Sequence, residues 1–253
     1  MTPLLEVSGV SKCFGGLQAL NQAYLTVSKG AIVGLIGPNG AGKTTFFNVM
    51  TGLYQPDSGS FVLNGQAYDP VAVDAVLRAG IARTFQNIRL FKEMSVLENV
   101  MVGRHSRTSS GLLATILKTR SNRKEERQIV EDATRLLAYV GIEKEAHQIA
   151  KNLSYGSQRR LEIARALATD PLLLALDEPA AGMNQTEKVE LQQLLEKIRV
   201  DGKTILLIEH DVRLVMGICD EITVLDEGQV IAQGKPEDVR HNPLVIEAYL
   251  GRS

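Results

Sequence analysis

The run Gly37-Pro38-Asn39-Gly40-Ala41-Gly42-Lys43-Thr44 has the spacing G-x-x-x-x-G-K-[ST], which lets a loop hold phosphate. Glycines allow successive backbone N–H groups to face one anion, and a side chain at Gly40 or Gly42 is expected to intrude on that nest. Lys43 would reach the β- and γ-phosphate oxygens of a nucleotide. The Thr44 hydroxyl would take one Mg²⁺ position, and Thr45 completes the binding set. A second cluster stands where the apolar run Leu172 to Leu176 ends in Asp177-Glu178-Pro179. Strands of open parallel sheets deliver ligand-binding groups from their C-terminal ends. Asp177 is expected to hold Mg²⁺ through water, and Glu178 to polarise an attacking water as general base. Taken singly, a glycine-rich turn or an acid pair opening a turn is unremarkable. Together on one chain they point to nucleotide chemistry with ATP and Mg²⁺.

The elements around these motifs must place them. Ala31 to Ile36 reads as a buried strand feeding the phosphate loop, and Thr44 to Met50 as the helix leaving it, stopped near Gly52. Leu5 to Lys12 and Gln18 to Val27 read as strands of an antiparallel edge, followed after Pro56-Asp57-Ser58-Gly59 by a strand at 60–63. Helix 157–168, strand 172–176, helix 187–200, strand 204–208 and helix 212–219 alternate, which implies a largely parallel sheet with helices on both faces. A hairpin at 222–231 and a helix at 244–250 close the chain. Between residues 90 and 157 the pattern is helical: Val96, Leu97, Val100 and Met101 fall at helical spacing, and the run Leu112 to Leu117, within a Ser-, Thr-, Lys- and Arg-rich stretch, reads as a short helix between mobile segments. Over 121–140 Ile129, Ala133, Leu136 and Val140 line one face, and Arg123 to Arg127 reads as its solvated side. The expected fold is therefore α/β, and with the phosphate loop it resembles a P-loop NTPase (RecA-like) core, over 1–89 and 158–253. It carries an antiparallel β edge and an inserted α-helical subdomain over 90–157.

Composition narrows the field. A 253-residue chain that is 44% hydrophobic and 23% charged is ordinary for a globular protein with an ample core. A formal net charge of −1 gives no global basic field to hold nucleic acid. Cys13 and Cys219, far apart in sequence, are expected to be free thiols. The N-terminus lacks a signal-peptide pattern, and no apolar run approaches the ~18 residues that span a bilayer. Any membrane role is expected to come through a spanning partner.

Between the two motifs stands Leu153-Ser154-Tyr155-Gly156-Ser157-Gln158-Arg159-Arg160-Leu161-Glu162, which resembles the signature of the ABC ATPases, usually L-S-G-G-Q followed by a basic amphipathic helix. Gln86 in Arg83-Thr84-Phe85-Gln86 is similar to that family's Q-loop glutamine, His210 in Glu209-His210-Asp211 to its switch histidine, and Phe14 to the aromatic residue that stacks on adenine. The resemblance implies ATP hydrolysis by Glu178, His210 and Gln86, with Gln86 also at the metal. It implies that Ser154 and Gly156 contact the nucleotide of a second ATPase in a two-site sandwich. Tyr155 stands where glycine is usual, Ser157 where glutamine is, and Asn184 where most members carry aspartate.

The stretches Phe14 to Leu17, Arg83 to Phe91 and Glu178 to Asn184, with the ending Ala248-Tyr249-Leu250-Gly251, resemble ATP-binding subunits of branched-chain amino-acid importers. The implied partners are membrane permeases, a second ATPase in a homo- or heterodimer, and a periplasmic binding protein. The implied location is peripheral, on the cytoplasmic face of the inner membrane. A lipid or lipopolysaccharide export ATPase is the alternative. Leu90, Phe91 and Met94 are candidates for a groove that receives the permease.

Overall fold

The computed structural model describes residues 2–105 and 120–250, the stretch 120–124 as backbone only. The helix expected around Leu112 to Leu117 lies outside the described residues. The chain divides into two compact units, Met1–Arg83 with Leu172–Ser253, and Thr84–Pro171.

The first unit opens with strands β1 (Pro3–Phe14), β2 (Leu17–Ser28) and β3 (Ile32–Ile36), then helix α1 (Lys43–Met50). Strands β4 (Ser58–Leu63) and β5 (Gln66–Ala67), helix α2 (Val73–Ala79) and strand β6 (Ile81–Arg83) follow. The second unit contains α3 (Val96–His105), α4 (Arg120–Val140) and α5 (Tyr155–Leu167). Back in the first unit come β7 (Leu173–Asp177), α6 (Gln185–Val200), β8 (Thr204–Ile208), α7 (Val212–Ile218), β9 (Glu221–Asp226), β10 (Gln229–Gly234), α8 (Pro236–Arg240) and α9 (Pro243–Leu250).

Among the described residues of the first unit the strands form two sheets. One is antiparallel in the order β2-β1-β4-β5; the other runs β10-β9-β3-β8-β7-β6, parallel except for the β9–β10 hairpin. Strands β3, β7 and β8 are buried at every position. That is why they read as continuous apolar runs rather than alternating ones: a parallel strand covered on both faces has no solvent side. Phe46, Phe47 and Met50 on α1 join Leu5, Leu25, Val33 and Leu206 in one core, which seats the helix behind its loop. Leu191, Leu194, Leu195 and Ile198 seat α6. Asn184 starts that helix by a reciprocal cap: its side chain accepts from the Glu187 amide at 3.0 Å, and Glu187 accepts from the Asn184 amide at 2.9 Å. The residue that departs from the family's aspartate thus keeps the capping chemistry.

The second unit is packed by α3, α4 and α5 against one another. Gly103 lets two of them approach closely, since a Cβ there would lie 2.4 Å from the Arg165 carbonyl oxygen. On α4 the buried stripe is Ile129, Ala133, Leu137 and Val140. Leu136, expected on that stripe, is only half-buried, because a step of four from Ala133 lands on Leu137. The expected insertion ended at residue 157, inside α5. The compact unit keeps that helix whole, as a continuous hydrogen-bonded ladder requires, and begins at Thr84 rather than residue 90.

Candidate functional site

The phosphate loop sits between the end of β3 and the start of α1. The Ala41 carbonyl accepts from the Gly228 amide at 2.9 Å, and the Gly228 carbonyl accepts from the Asn21 amide at 2.9 Å, so the loop is pinned to the β9–β10 turn and to β2. Gly42 holds φ +98°, and a Cβ there would lie 2.7 Å from the Ala19 carbonyl oxygen. Gly40 borders open space on the cleft side. A Cβ there would meet no protein atom within 4 Å, and the left-handed φ of +84° is what the fold itself requires of glycine there.

Lys43 is buried, and its Nζ donates to the carbonyls of Gly37 and Pro38 at 2.7 and 2.9 Å. Burial lowers its pKa, and the negative charge of Glu178 opposes that shift. The loop therefore carries its cation already turned inward. Thr44 is exposed at the helix start and Thr45 half-buried.

A cleft of about 500 Å³ runs over the loop, lined from Phe14 and Leu17 through Asn39 to Thr45 to Glu178 and the Glu227-Gly228 turn. Phe14 is 42% exposed, lies edge-on to Tyr54 with ring centroids 5.3 Å apart, and has Lys12 Nζ 5.5 Å from its own centroid. The structure thus brings Phe14, Asn39, Gly40, Ala41, Gly42, Lys43, Thr44, Thr45 and Glu178 to one cleft. Gly37 and Pro38 serve from below, as acceptors for Lys43. Tyr249 on α9 reaches the same loop: burial raises its pKa, and a hydrogen bond with the Gly37 backbone partly offsets the rise.

Asp177 ends β7 and is buried, with its carboxylate 3.8 Å from an Arg83 nitrogen. Arg83 also donates to Asn48 and Thr51 and lies over the Phe47 ring, a set of contacts that sequence reading missed. Glu178 follows at φ +45°, a left-handed conformation rare outside glycine. His210 Nδ1 stands 3.5 Å from Glu178 Oε2 and 3.9 Å from Glu209 Oε2. Glu209 is the second miss. Its carboxylate accepts from the amides of Ala180 (2.9 Å), His210 (3.2 Å) and Asp211 (3.4 Å), tying the loop after Glu178 to the loop holding His210. Burial raises its pKa against the pull of those bonds. Its only sequence signal was adjacency to His210.

Gln86, Ser154 and Gly156 belong to the second unit. Ser154 caps α5, its hydroxyl accepting from the Ser157 amide at 3.2 Å. Gly156 is buried; Tyr155 is 42% exposed, and its hydroxyl oxygen accepts from Arg159 at 3.2 Å. Gln86 has an exposed side chain and a carbonyl held by Arg159. Among the described residues no three His, Cys, Asp or Glu side chains converge as a metal site.

A phosphate loop after β3 with an inward lysine and an acid at the end of β7, two strands away in the same sheet, define a nucleotide-binding cassette. The family model described as ABC transporter matches residues 20–181, and one described as branched-chain amino acid ATP-binding cassette transporter matches residues 229–253. The chain belongs to the ABC transporter family and binds ATP as one of its cassettes. The high-affinity branched-chain amino acid transport ATP-binding protein LivG of Escherichia coli (strain K12) is 48% identical over 99% of both chains. The corresponding BraF of Pseudomonas aeruginosa is also 48% identical over 99% of both. The solved structure of the ADP conformation of an ATP-binding cassette of an ABC transporter is 32% identical, with a TM-score of 0.86 over 100% of both chains. No helix among the described residues is long and apolar enough to cross a membrane.

Proposed function

We propose that this chain hydrolyses ATP to energise import of branched-chain amino acids through partner permeases. The observation that carries the chemistry is Glu178 at the cleft with His210 Nδ1 at 3.5 Å, beside a buried Lys43. Glu178 takes a proton from the attacking water as the new P–O bond forms and the β–γ bridge breaks. Lys43 and the loop amides stabilise the charge that moves onto the phosphates. His210 orients at the γ-phosphate, its imidazole steadied by Glu178. Mg²⁺, bound with the nucleotide, would neutralise phosphate charge. An exposed Thr44 hydroxyl and one buried acid, Asp177, fit a cation that takes few protein ligands and completes its shell with phosphate and water. By resemblance Gln86 joins that shell, and Ser154 and Gly156 serve the nucleotide of a second ATPase subunit.

The names of the relatives favour amino-acid transport over lipid export. A periplasmic binding protein would hand the amino acid to the permeases, and this chain would sit peripherally on the cytoplasmic face. The permease contact is the apolar surface at Leu90, Phe91 and Met94. Phe91 is 44% and Met94 39% exposed, and the Arg165 guanidinium lies 5.6 Å from the Phe91 ring. Phe91→Ser with Met94→Ser, expressed with the permeases, should leave ATP binding intact while permease copurification and leucine uptake fall together. Normal uptake in the double variant would move the docking surface elsewhere. Copurification with an exporter's membrane subunits would overturn the importer reading.

A further inference from the structure

Arg159 and Glu162 lie one turn apart on α5, 2.7 Å from each other, with side-chain exposures of 0% and 1%. A buried ion pair is costly to desolvate, so it persists where its remaining atoms find partners. Here the partners are backbone groups of the segment from Phe85 to Arg89, which has no helix or strand of its own to satisfy them. Arg159 donates to the Phe85 carbonyl at 2.7 Å and to the Gln86 carbonyl at 2.9 Å. Glu162 accepts from the amides of Phe85 at 3.4 Å and Arg89 at 3.3 Å. Both ends of the loop segment are therefore fastened to one helix by one pair of side chains. The guanidinium is placed for those terminal contacts at a cost, since its Nε is buried with no hydrogen-bond partner.

The same guanidinium has a fourth partner. The Nη2 that holds the Gln86 carbonyl also donates to the Tyr155 hydroxyl at 3.2 Å. Tyr155 is half-exposed in the signature motif, at a position where ABC ATPases usually carry glycine. A glycine there has no side chain to make this bond.

We propose that Arg159 and Glu162 are the positioning pair for Gln86, and that Tyr155 sets the pair's register, so that the signature helix and the Gln86 backbone move as one piece. What touches the Tyr155 surface is then felt at Gln86 through two hydrogen bonds on a single nitrogen. The proposal rests on the reading of Gln86 as a glutamine needed for hydrolysis.

The test is a double-mutant cycle in the permease-bound complex, with kcat and the KM for ATP measured for Arg159→Lys and Tyr155→Phe, each with Gln86 and with Gln86→Ala. Arg159→Lys keeps the charge but loses the fork that spans two carbonyls. It should lower kcat roughly tenfold, about the worth of one charge-assisted hydrogen bond, with little change in KM. Tyr155→Phe should lower kcat by about twofold to threefold, as expected for a neutral bond shared with others. In the Gln86→Ala background both losses should largely vanish, because the residue they position is gone. If Gln86→Ala slows turnover and the other losses multiply with it in full, the pair is structural and the proposal fails. Should Arg159→Lys not fold, Tyr155→Phe decides, since it removes one half-exposed hydroxyl: a wild-type rate or a fully multiplicative loss overturns the coupling. A wild-type rate for Gln86→Ala itself overturns the underlying reading of Gln86 instead.

Discussion

Glu178 and Glu209 occupy matching places on neighbouring strands and are put to opposite uses. Each follows the last residue of its strand, one step beyond the paired Asp177 and Ile208 of β7 and β8. Glu178 leaves the strand at φ +45°, lines the cleft and keeps 18% of its side chain exposed. Glu209 is 1% exposed and spends its oxygens on the amides of Ala180, His210 and Asp211. One carboxylate faces the cleft and the other is part of the frame. The left-handed turn at Glu178 costs on the order of 1–3 kcal/mol, and such strain persists where the surroundings enforce it. Here the Glu178 amide is held by the Ile208 carbonyl at 2.9 Å, while Glu209 anchors the loop beyond it. The scaffold acid maintains the backbone that presents the cleft-facing one, the acid proposed to act on the attacking water.

The largest effect should come from Glu178→Gln. Turnover should fall by roughly 10²–10⁴, the usual worth of a positioned base, while ATP binding and thermal stability stay near wild type. Single-turnover ATPase assays beside a melting curve test this. A variant turning over at wild-type rate would assign the water to another group.

Glu209→Ala should invert the pattern. It strands amide donors at Ala180, His210 and Asp211, and the loss of a buried hydrogen-bond partner costs about 1–3 kcal/mol. Melting temperature should drop by roughly 2–4 °C per kcal/mol in a chain of this size, with a secondary fall in rate. If Glu209→Ala instead slowed turnover at unchanged stability, the division between reactive and framing acids would break down.

How far these roles could be read in sequence depends on how local their causes are. The phosphate loop was legible because its nest is contiguous, and β3, β7 and β8 because double-sided burial writes an unbroken apolar run. Glu178 was legible as the acid at the end of such a run. Glu209 was not, since residue type carries no record of burial, and only its neighbour His210 hinted at it. The Asn184 cap was readable from Asn184-x-x-Glu187, although sequence alone marked Asn184 only as a departure from aspartate. Arg159 was the least legible, because its carbonyl partners lie 74 and 73 residues away. The seven-residue α2 and five-residue α8 escaped notice because segments that short show little periodicity.

A third acid on the same edge sharpens the comparison through its pH dependence. Asp211 caps α7, accepting from the amides of Arg213 at 3.1 Å and Leu214 at 3.2 Å, while its other oxygen takes Lys188 Nζ at 2.6 Å. The Lys188 hydrogen bond is the main reason its carboxyl is held below the ordinary aspartate range. A carboxyl depressed on folding contributes stability above its unfolded pKa and loses it as pH falls through the folded value. Glu209, raised by burial, has the opposite sign: its contribution is complete below the ordinary glutamate range and is lost as pH rises through the folded value. Lys188→Met keeps an apolar stem but removes the cation, so the Asp211 pKa should move back up and acid destabilisation should begin at higher pH. Both side chains of the pair are about a quarter exposed, which limits the loss at pH 7 to roughly 0.2–1 kcal/mol. Urea midpoints for wild type and Lys188→Met, followed from pH 7 down into the acid, should draw together as pH falls through the depressed wild-type value of Asp211, below which the carboxylate is lost in both. A gap that stayed constant across that range would mean that Lys188 stabilises by packing its stem rather than by its charge.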